Sequence, residues 1–233
     1  MKSIFKACLF VIFFLFTINN VFADPSSAEK IRPQIDRKTY LLPYDKWTQE
    51  YTNYFQRHYH DKSLVLSPAA IVMHYTGGST LSSAYYTFLD GAYYDDGDVG
   101  TVFGHLSVHY IVDRDGAIYQ LLPCNRRCRG AYGVNHVAIS IEMVANSEND
   151  LTENTIQASF KLVKFLKTYF DIPSENIWGH YEVSEGKYSS NKAVKYYYTD
   201  YGDSRSPDCY PAAFGRSDPG KTYMGRLRKY LSR

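Results

Sequence analysis

Short apolar bursts separated by polar, glycine-containing stretches run through this chain, and their internal spacing changes from one burst to the next. The burst "AAIVMHYTG", residues 69–77, is continuous and stops at Gly77 and Gly78, which predicts a buried strand. "LSVHYIVDRDGAIYQLLP", residues 106–123, holds two alternating runs separated by Asp-Arg-Asp-Gly. Gly116 can supply the positive φ of a tight turn, so this stretch predicts a β-hairpin. "HVAISIEMVA", residues 136–145, predicts a central strand, and "NIWGHYE", residues 176–182, a brief one that stops at Gly179 and His180.

Other bursts follow the helical period. Ile156, Phe160, Val163 and Phe170 share one face of a helix predicted from Thr152 to Phe170, with Pro173 ending it. "KWTQEYTNYFQRHY", residues 46–59, carries a broad aromatic stripe and predicts a second helix. Ser79 and Thr80 are placed to cap a third that reaches Leu89. Pro219 to Leu231 has proline at its start and Lys and Arg toward its end, the signals of a fourth helix with Pro219 in its first turn. Strands alternating with helices predict one α/β (α+β) domain, a central mixed β-sheet flanked by helices. Residues 91–104 read as a glycine- and aspartate-rich loop, and residues 181–214, rich in Tyr, Ser, Lys and Asp, as a long irregular insert that is functional or mobile.

The start of the chain departs from this pattern. Lys2 and Lys6 precede an apolar stretch from Ala7 to Phe16, and Val21 and Ala23 form a Val-x-Ala cleavage site. That is the layout of a secretory signal peptide over residues 1–23, with an uncleaved anchor as the alternative. Cys8 opens the apolar stretch instead of following it, which does not suit lipidation. Residues 24–45, with three prolines, read as an extended leader, and residues 46–233 as the functional domain. Cleavage implies a secreted or periplasmic protein with no stable membrane span.

Removing residues 1–23 takes two lysines and no acids, leaving basic and acidic residues in balance. A neutral chain without a basic run argues against nucleic acid as a partner. The 23 tyrosines suit contact with sugars or polar peptides, and equally a secreted surface. After cleavage three cysteines remain. In an oxidising compartment Cys124 and Cys128 of "PCNRRCRG" read as a small disulfide loop, leaving Cys209 odd. Metal ligation by the close pair is the weaker reading, because no second Cys pair accompanies it.

Two histidines sit where predicted strands run into glycine or a loop, His74 in "VMHYTGG" and His180 in "WGHYE". One such His is more often a core residue, but the second, together with Asp218 in "RSDPG", makes a sufficient donor set for a catalytic zinc with a fourth position left to water. Asp218 has a plainer reading as a helix cap. Glu142 in "ISIEMV" lies on the strand face opposite Ile139 and Ile141, and beside an activated water it suits a general base.

These motifs, in this order, resemble the zinc-dependent N-acetylmuramoyl-L-alanine amidases of the type-2 amidase family, a fold shared with phage T7 lysozyme and the animal peptidoglycan recognition proteins. The resemblance runs from Ile71 to Leu227. It implies that His74, His180 and Asp218 bind Zn2+, that Glu142 is the general base, and that the substrate is peptidoglycan or muropeptides. The family's usual Lys two residues before the ligand Asp is Arg216 here, which keeps the charge for oxyanion stabilisation and changes the donor geometry. His109 and Asn135 match recurrent family positions and carry an expected substrate role, with a structural hydrogen bond as the alternative. The insert is longer than the family's gap, and its "SPDCYP" makes Asp208 or Cys209 a rival third ligand. A non-catalytic peptidoglycan-binding protein of the same fold is the alternative function. A serine hydrolase is disfavoured by the lack of a Gly-x-Ser-x-Gly elbow.

Overall fold

Strands β1 (Ala70–Tyr75), β2 (Tyr110–Val112), β3 (Ile118–Gln120), β4 (Ala138–Met143) and β5 (Ile177–Gly179) form one mixed sheet in the order β3-β2-β4-β1-β5. The computed structural model describes residues 25–90, 105–199 and 215–233. The expected signal peptide, the loop at 91–104 and the rivals Asp208 and Cys209 lie outside the described residues.

β1 is parallel to both of its neighbours, β4 and β5, and β4 is parallel to β2. Central parallel strands are covered on both faces, and so their sequences are nearly continuous apolar runs. The expected hairpin is present: β2 and β3 pair antiparallel, and Gly116 turns the chain at φ 90. A side chain at Gly116 would also press on the Asn154 carbonyl, 3.1 Å from the added carbon.

Helix α4 (Glu153–Tyr169) and helix α7 (Lys221–Leu231) cover one face. Ile156, Phe160 and Val163 of α4 and Tyr223, Met224 and Leu227 of α7 meet Ile71, Met73, Ile139 and Ile141 there. Thr152 caps α4 by accepting the Thr155 N–H at 3.1 Å, and its hydroxyl donates to the Arg114 carbonyl at 2.6 Å. The cap contributes about 1 kcal/mol. Leu162 and Val163 are fully buried, and at about 2 kcal/mol for each such side chain packing outweighs the cap. On the opposite face, α2 (Thr48–Tyr59) and α3 (Leu81–Leu89) pack Tyr51, Phe55, Ala84 and Phe88 over Ile111 and Leu121. Nearer β5, Val72, Trp178, Val183 and Val194 form a third cluster.

Four expectations change. Residues 25–45, expected as an extended leader, are not extended throughout: α1 (Pro25–Glu29) is helical and sinks Ala28 into the core, and Asp36 bridges to Tyr119 beside β3. The insert is not irregular where it is described. It holds α5 (His180–Ser184), a 3₁₀ turn at Gly186–Tyr188 and α6 (Lys192–Tyr197). These pieces are too short for a periodic pattern; Asn191 caps α6 by accepting the Ala193 N–H, and Val194 anchors it. The last helix starts at Lys221, so Pro219 precedes its first turn.

The fourth change concerns the cysteines. Cys124 and Cys128 are both free thiols. Cys124 lies 3.0 Å from the Tyr110 hydroxyl and packs against the α4 cluster, whereas Cys128 is buried in the α2 cluster. The two sulfurs face different cores, and four residues of chain do not turn them toward each other. Burial pushes both thiols up, Cys124 to about 11 and Cys128 to about 12, which makes them poor nucleophiles. Alkylation of the unfolded, unreduced protein followed by peptide mapping is expected to label both residues. A peptide linked through Cys124 and Cys128 would refute this arrangement.

Candidate metal centre and catalytic cleft

The ends of two adjacent parallel strands supply the histidines. β1 carries His74 near its C-terminal end, and β5 stops at Gly179 so that His180 opens α5. In open α/β sheets ligands gather beyond the carboxyl ends of the strands. Asp218 arrives from the segment before α7, and its carbonyl accepts the Tyr181 N–H at 2.9 Å, tying the third side chain to the corner that holds the second.

Three donor atoms converge. The Nδ1 atoms of His74 and His180 are 3.1 Å apart, and Asp218 Oδ2 lies 3.2 Å from the first and 3.0 Å from the second. A tetrahedral zinc with bonds of about 2.0–2.1 Å sets its ligands about 3.3 Å apart. The donor set therefore fits zinc in both chemistry and spacing. His74 and Asp218 are buried, which favours partners other than water. Burial by itself would raise the Asp218 carboxyl, but the His180 and His74 imidazoles override it and hold the group well below the usual carboxylate range.

Asp218 is not the cap of the helix that follows. Gly220 occupies the cap position at φ 103, and the Glu148 carboxylate accepts the Tyr223 N–H at 2.6 Å. Glu148 thus places negative charge at the positive end of α7. A side chain at Gly220 would collide with that carboxylate.

Glu142 stands beside His74, since the β1–β4 register pairs the two residues. Alternation along β4 sends Ile139 and Ile141 to the α4 cluster and turns Glu142 to the other face. Among the described residues its Oε2 is buried without a hydrogen-bond partner, which is unusual for a carboxylate oxygen. Burial raises the Glu142 carboxyl to about 7; His74 pulls the other way, Asp218 adds to the rise, and Arg216 opposes it.

These four residues line a cleft of about 540 Å³. Arg216 is exposed at its edge, and its backbone N–H donates to Ser184 Oγ at 3.3 Å. Asn135 lines the cleft too, but its side chain is occupied: Oδ1 accepts from the Gly130 and Ala131 N–H groups, and Nδ2 donates to the Tyr54 hydroxyl. It shapes the wall and has little left to offer a ligand.

The expected substrate role of His109 does not fit. His109 is fully buried and is not among the cleft residues. Its Nε2–H donates to the Arg126 carbonyl at 2.9 Å and its Nδ1 accepts the Ser140 N–H at 3.1 Å, so both ring nitrogens are occupied. Burial lowers its pKa to about 4, which keeps the ring neutral as a brace between β2, β4 and the 123–127 loop.

Sequence reasoning missed part of the cleft wall. Tyr54 of α2, Tyr132 and Tyr198 face the cleft together with Arg129. Tyr198 follows α6 in the insert and packs against Gly133, which has φ 80 and no room for a side chain beneath the ring. The tyrosine-rich composition was the one available signal, and it names no position.

The Amidase_2 family model, described as N-acetylmuramoyl-L-alanine amidase, matches residues 65–193. That stretch contains His74, Glu142 and His180, and Asp218 lies beyond it. No curated protein matches the chain. Among solved structures the chain is similar to the N-acetylmuramoyl-L-alanine amidase LysC from Clostridium intestinale URNW, at 19% identity and a TM-score of 0.46, over 71% of this chain and 97% of that one. It is also similar to a mutant endolysin from Bacillus subtilis, at 21% identity and a TM-score of 0.44, over 69% of this chain and 88% of that one. A third is the amidase AmiD from E. coli in complex with anhydro-N-acetylmuramic acid-L-Ala-D-gamma-Glu-L-Lys, at 21% identity and a TM-score of 0.38, over 50% of this chain and 49% of that one. Because the family model covers more than half of its residues, the chain belongs to the Amidase_2 family of N-acetylmuramoyl-L-alanine amidases.

Proposed function

We propose that this chain is a zinc-dependent hydrolase of the amide between N-acetylmuramic acid and the L-alanine of peptidoglycan. Family membership supports peptidoglycan amidase activity. The observation that carries the finer reading is the convergence of His74 Nδ1, His180 Nδ1 and Asp218 Oδ2 next to the Glu142 carboxylate, whose Oε2 is buried without a partner among the described residues. His74, His180 and Asp218 would hold the ion. When bound, zinc supplies Lewis acidity, polarising an amide carbonyl and lowering the pKa of water.

The chain's own residues account for the remaining steps. Glu142, with its carboxyl raised to about 7, is matched to taking a proton from the attacking water and returning it to the leaving amine. Arg216, exposed at the rim, offers a permanent positive charge to the negative charge that would develop on the carbonyl oxygen. The tyrosine wall of Tyr54, Tyr132 and Tyr198 offers aromatic faces to a sugar or peptide. An intact acid, two imidazoles and a working base favour catalysis over passive binding of the wall polymer. The basic and apolar start of the chain supports export with residues 1–23 removed, and N-terminal sequencing of exported protein is expected to begin at Asp24; an intact Met1 start would sink that part.

Glu142→Ala is expected to keep zinc and lose about 10²–10⁴-fold in turnover of a defined muropeptide, read as free stem peptide by mass analysis. His180→Ala is expected to lose both zinc and turnover. Undiminished hydrolysis by either variant, or by chelator-treated wild type, overturns the reading.

The raised Glu142 carboxyl also has a stability signature in zinc-free protein. The folded state prefers the protonated acid more strongly than the unfolded chain does, so stability is lost as pH rises from about 4.5 to about 7, and the penalty is constant above that. Glu142→Gln removes this loss. The melting temperature of the variant minus that of wild type is expected to grow across this window and then level off; a difference that does not vary with pH contradicts the assignment.

A further inference from the structure

His180 opens a helix of only five residues, His180–Ser184, so its direction is set by whatever holds that corner. One carboxylate does so. Glu182 Oε2 accepts the N–H of Gly179, the residue before the ligand, at 2.8 Å. Arg228 of α7 donates through Nη2 to both carboxylate oxygens, at 2.8 and 2.7 Å. Asn191, the cap of α6, donates through Nδ2 to Oε1 at 3.1 Å. The Glu182 carbonyl accepts the Ser189 hydroxyl at 2.8 Å. Its side chain is only 13% exposed, so these charge-assisted bonds are screened less than a surface pair.

The partners of Glu182 lie where they matter for the donor cluster. α7 is the helix that follows Asp218, so the Arg228 contact locks the segment carrying the third donor against the corner carrying the second. The two segments also touch directly: the Tyr181 N–H donates to the Asp218 carbonyl, and a side chain at Gly179 would meet Pro219 Cδ at 3.1 Å. Functional groups of this kind must be held to about 0.5 Å. A carboxylate bonded to the corner, the insert and α7 supplies that constraint.

We propose that Glu182, through Arg228, is a positioning residue for the metal centre, fixing His180 and Asp218 in mutual register without touching the ion. This rests on the reading of His74, His180 and Asp218 as zinc ligands. Groups that orient metal ligands typically cost 10–100-fold in metal affinity when removed.

The test is zinc affinity by chelator competition, with melting temperatures of the zinc-free proteins recorded alongside. Glu182→Ala is expected to bind zinc about 10–100-fold more weakly than wild type. Glu182→Gln, which still accepts the Gly179 N–H, recovers part of the loss. Arg228→Gln weakens binding by a smaller factor, and Arg228→Lys falls between it and wild type. Arg226→Gln, on the same helix as Arg228, breaks the exposed pair to Glu153 of α4 and leaves affinity unchanged. Because Arg228 is 44% exposed, its variants decide the question if Glu182→Ala fails to fold. Wild-type affinity in Glu182→Ala or, failing that protein, in Arg228→Gln overturns the positioning role while leaving the ligand reading intact. Wild-type protein that binds no zinc, or His180→Ala that binds it undiminished, overturns both.

Discussion

The parallel pairing of β1 with β4 sets the geometry on which the site depends. It places His74, a member of the donor cluster, opposite Glu142, a buried carboxylate of the cleft, on a shared face of the sheet. The same alternation sends Ile71, Met73, Ile139 and Ile141 to the opposite face, where α4 and α7 bury them. A slip of one residue would exchange the two sets, burying the chemistry in the apolar core and exposing the isoleucines. Core packing therefore enforces the register, and the register delivers the cleft.

Two carboxylates in that cleft are driven in opposite directions by their surroundings. Glu142 has a raised pKa because burial dominates and outweighs the pull of His74. Asp218 has a depressed one because two imidazoles outweigh its burial. Surroundings alone thus drive two chemically similar groups apart, one toward the anionic form and the other toward the protonated one. Around them, two further carboxylates brace the backbone. Glu148 sits at the start of α7 and Glu182 at the β5–α5 corner, and both spare the site residues from structural duty.

The cysteines and His109 show where local reasoning fails. A four-residue Cys spacing permits a disulfide, yet Cys124 and Cys128 point into different clusters because the chain between them crosses from one side of the sheet to the other. His109 lies in the hairpin stretch that the pattern predicted, but its burial and its two hydrogen bonds come from Arg126 and Ser140, which only the assembled sheet brings near. The aromatic wall is a similar case. Tyr54 and Tyr198 are 144 positions apart and meet at one cleft only because α2 and the insert pack on the same face.

The strands, the hairpin turn and the long helices are legible along the chain, because periodic burial and glycine or cap residues act over a few neighbouring positions. Residue types and the order of the motifs also put forward the four residues of the candidate centre, His74, Glu142, His180 and Asp218, with the capping reading of Asp218 left open. Long-range packing turns Asp218 toward the two histidines and leaves the start of α7 to Glu148, keeps the cysteines apart, and brings Tyr198 of the insert to the cleft. Each of these depends on contacts between residues distant in sequence, and pairing across such distances is fixed by the packing of the sheet and its helices.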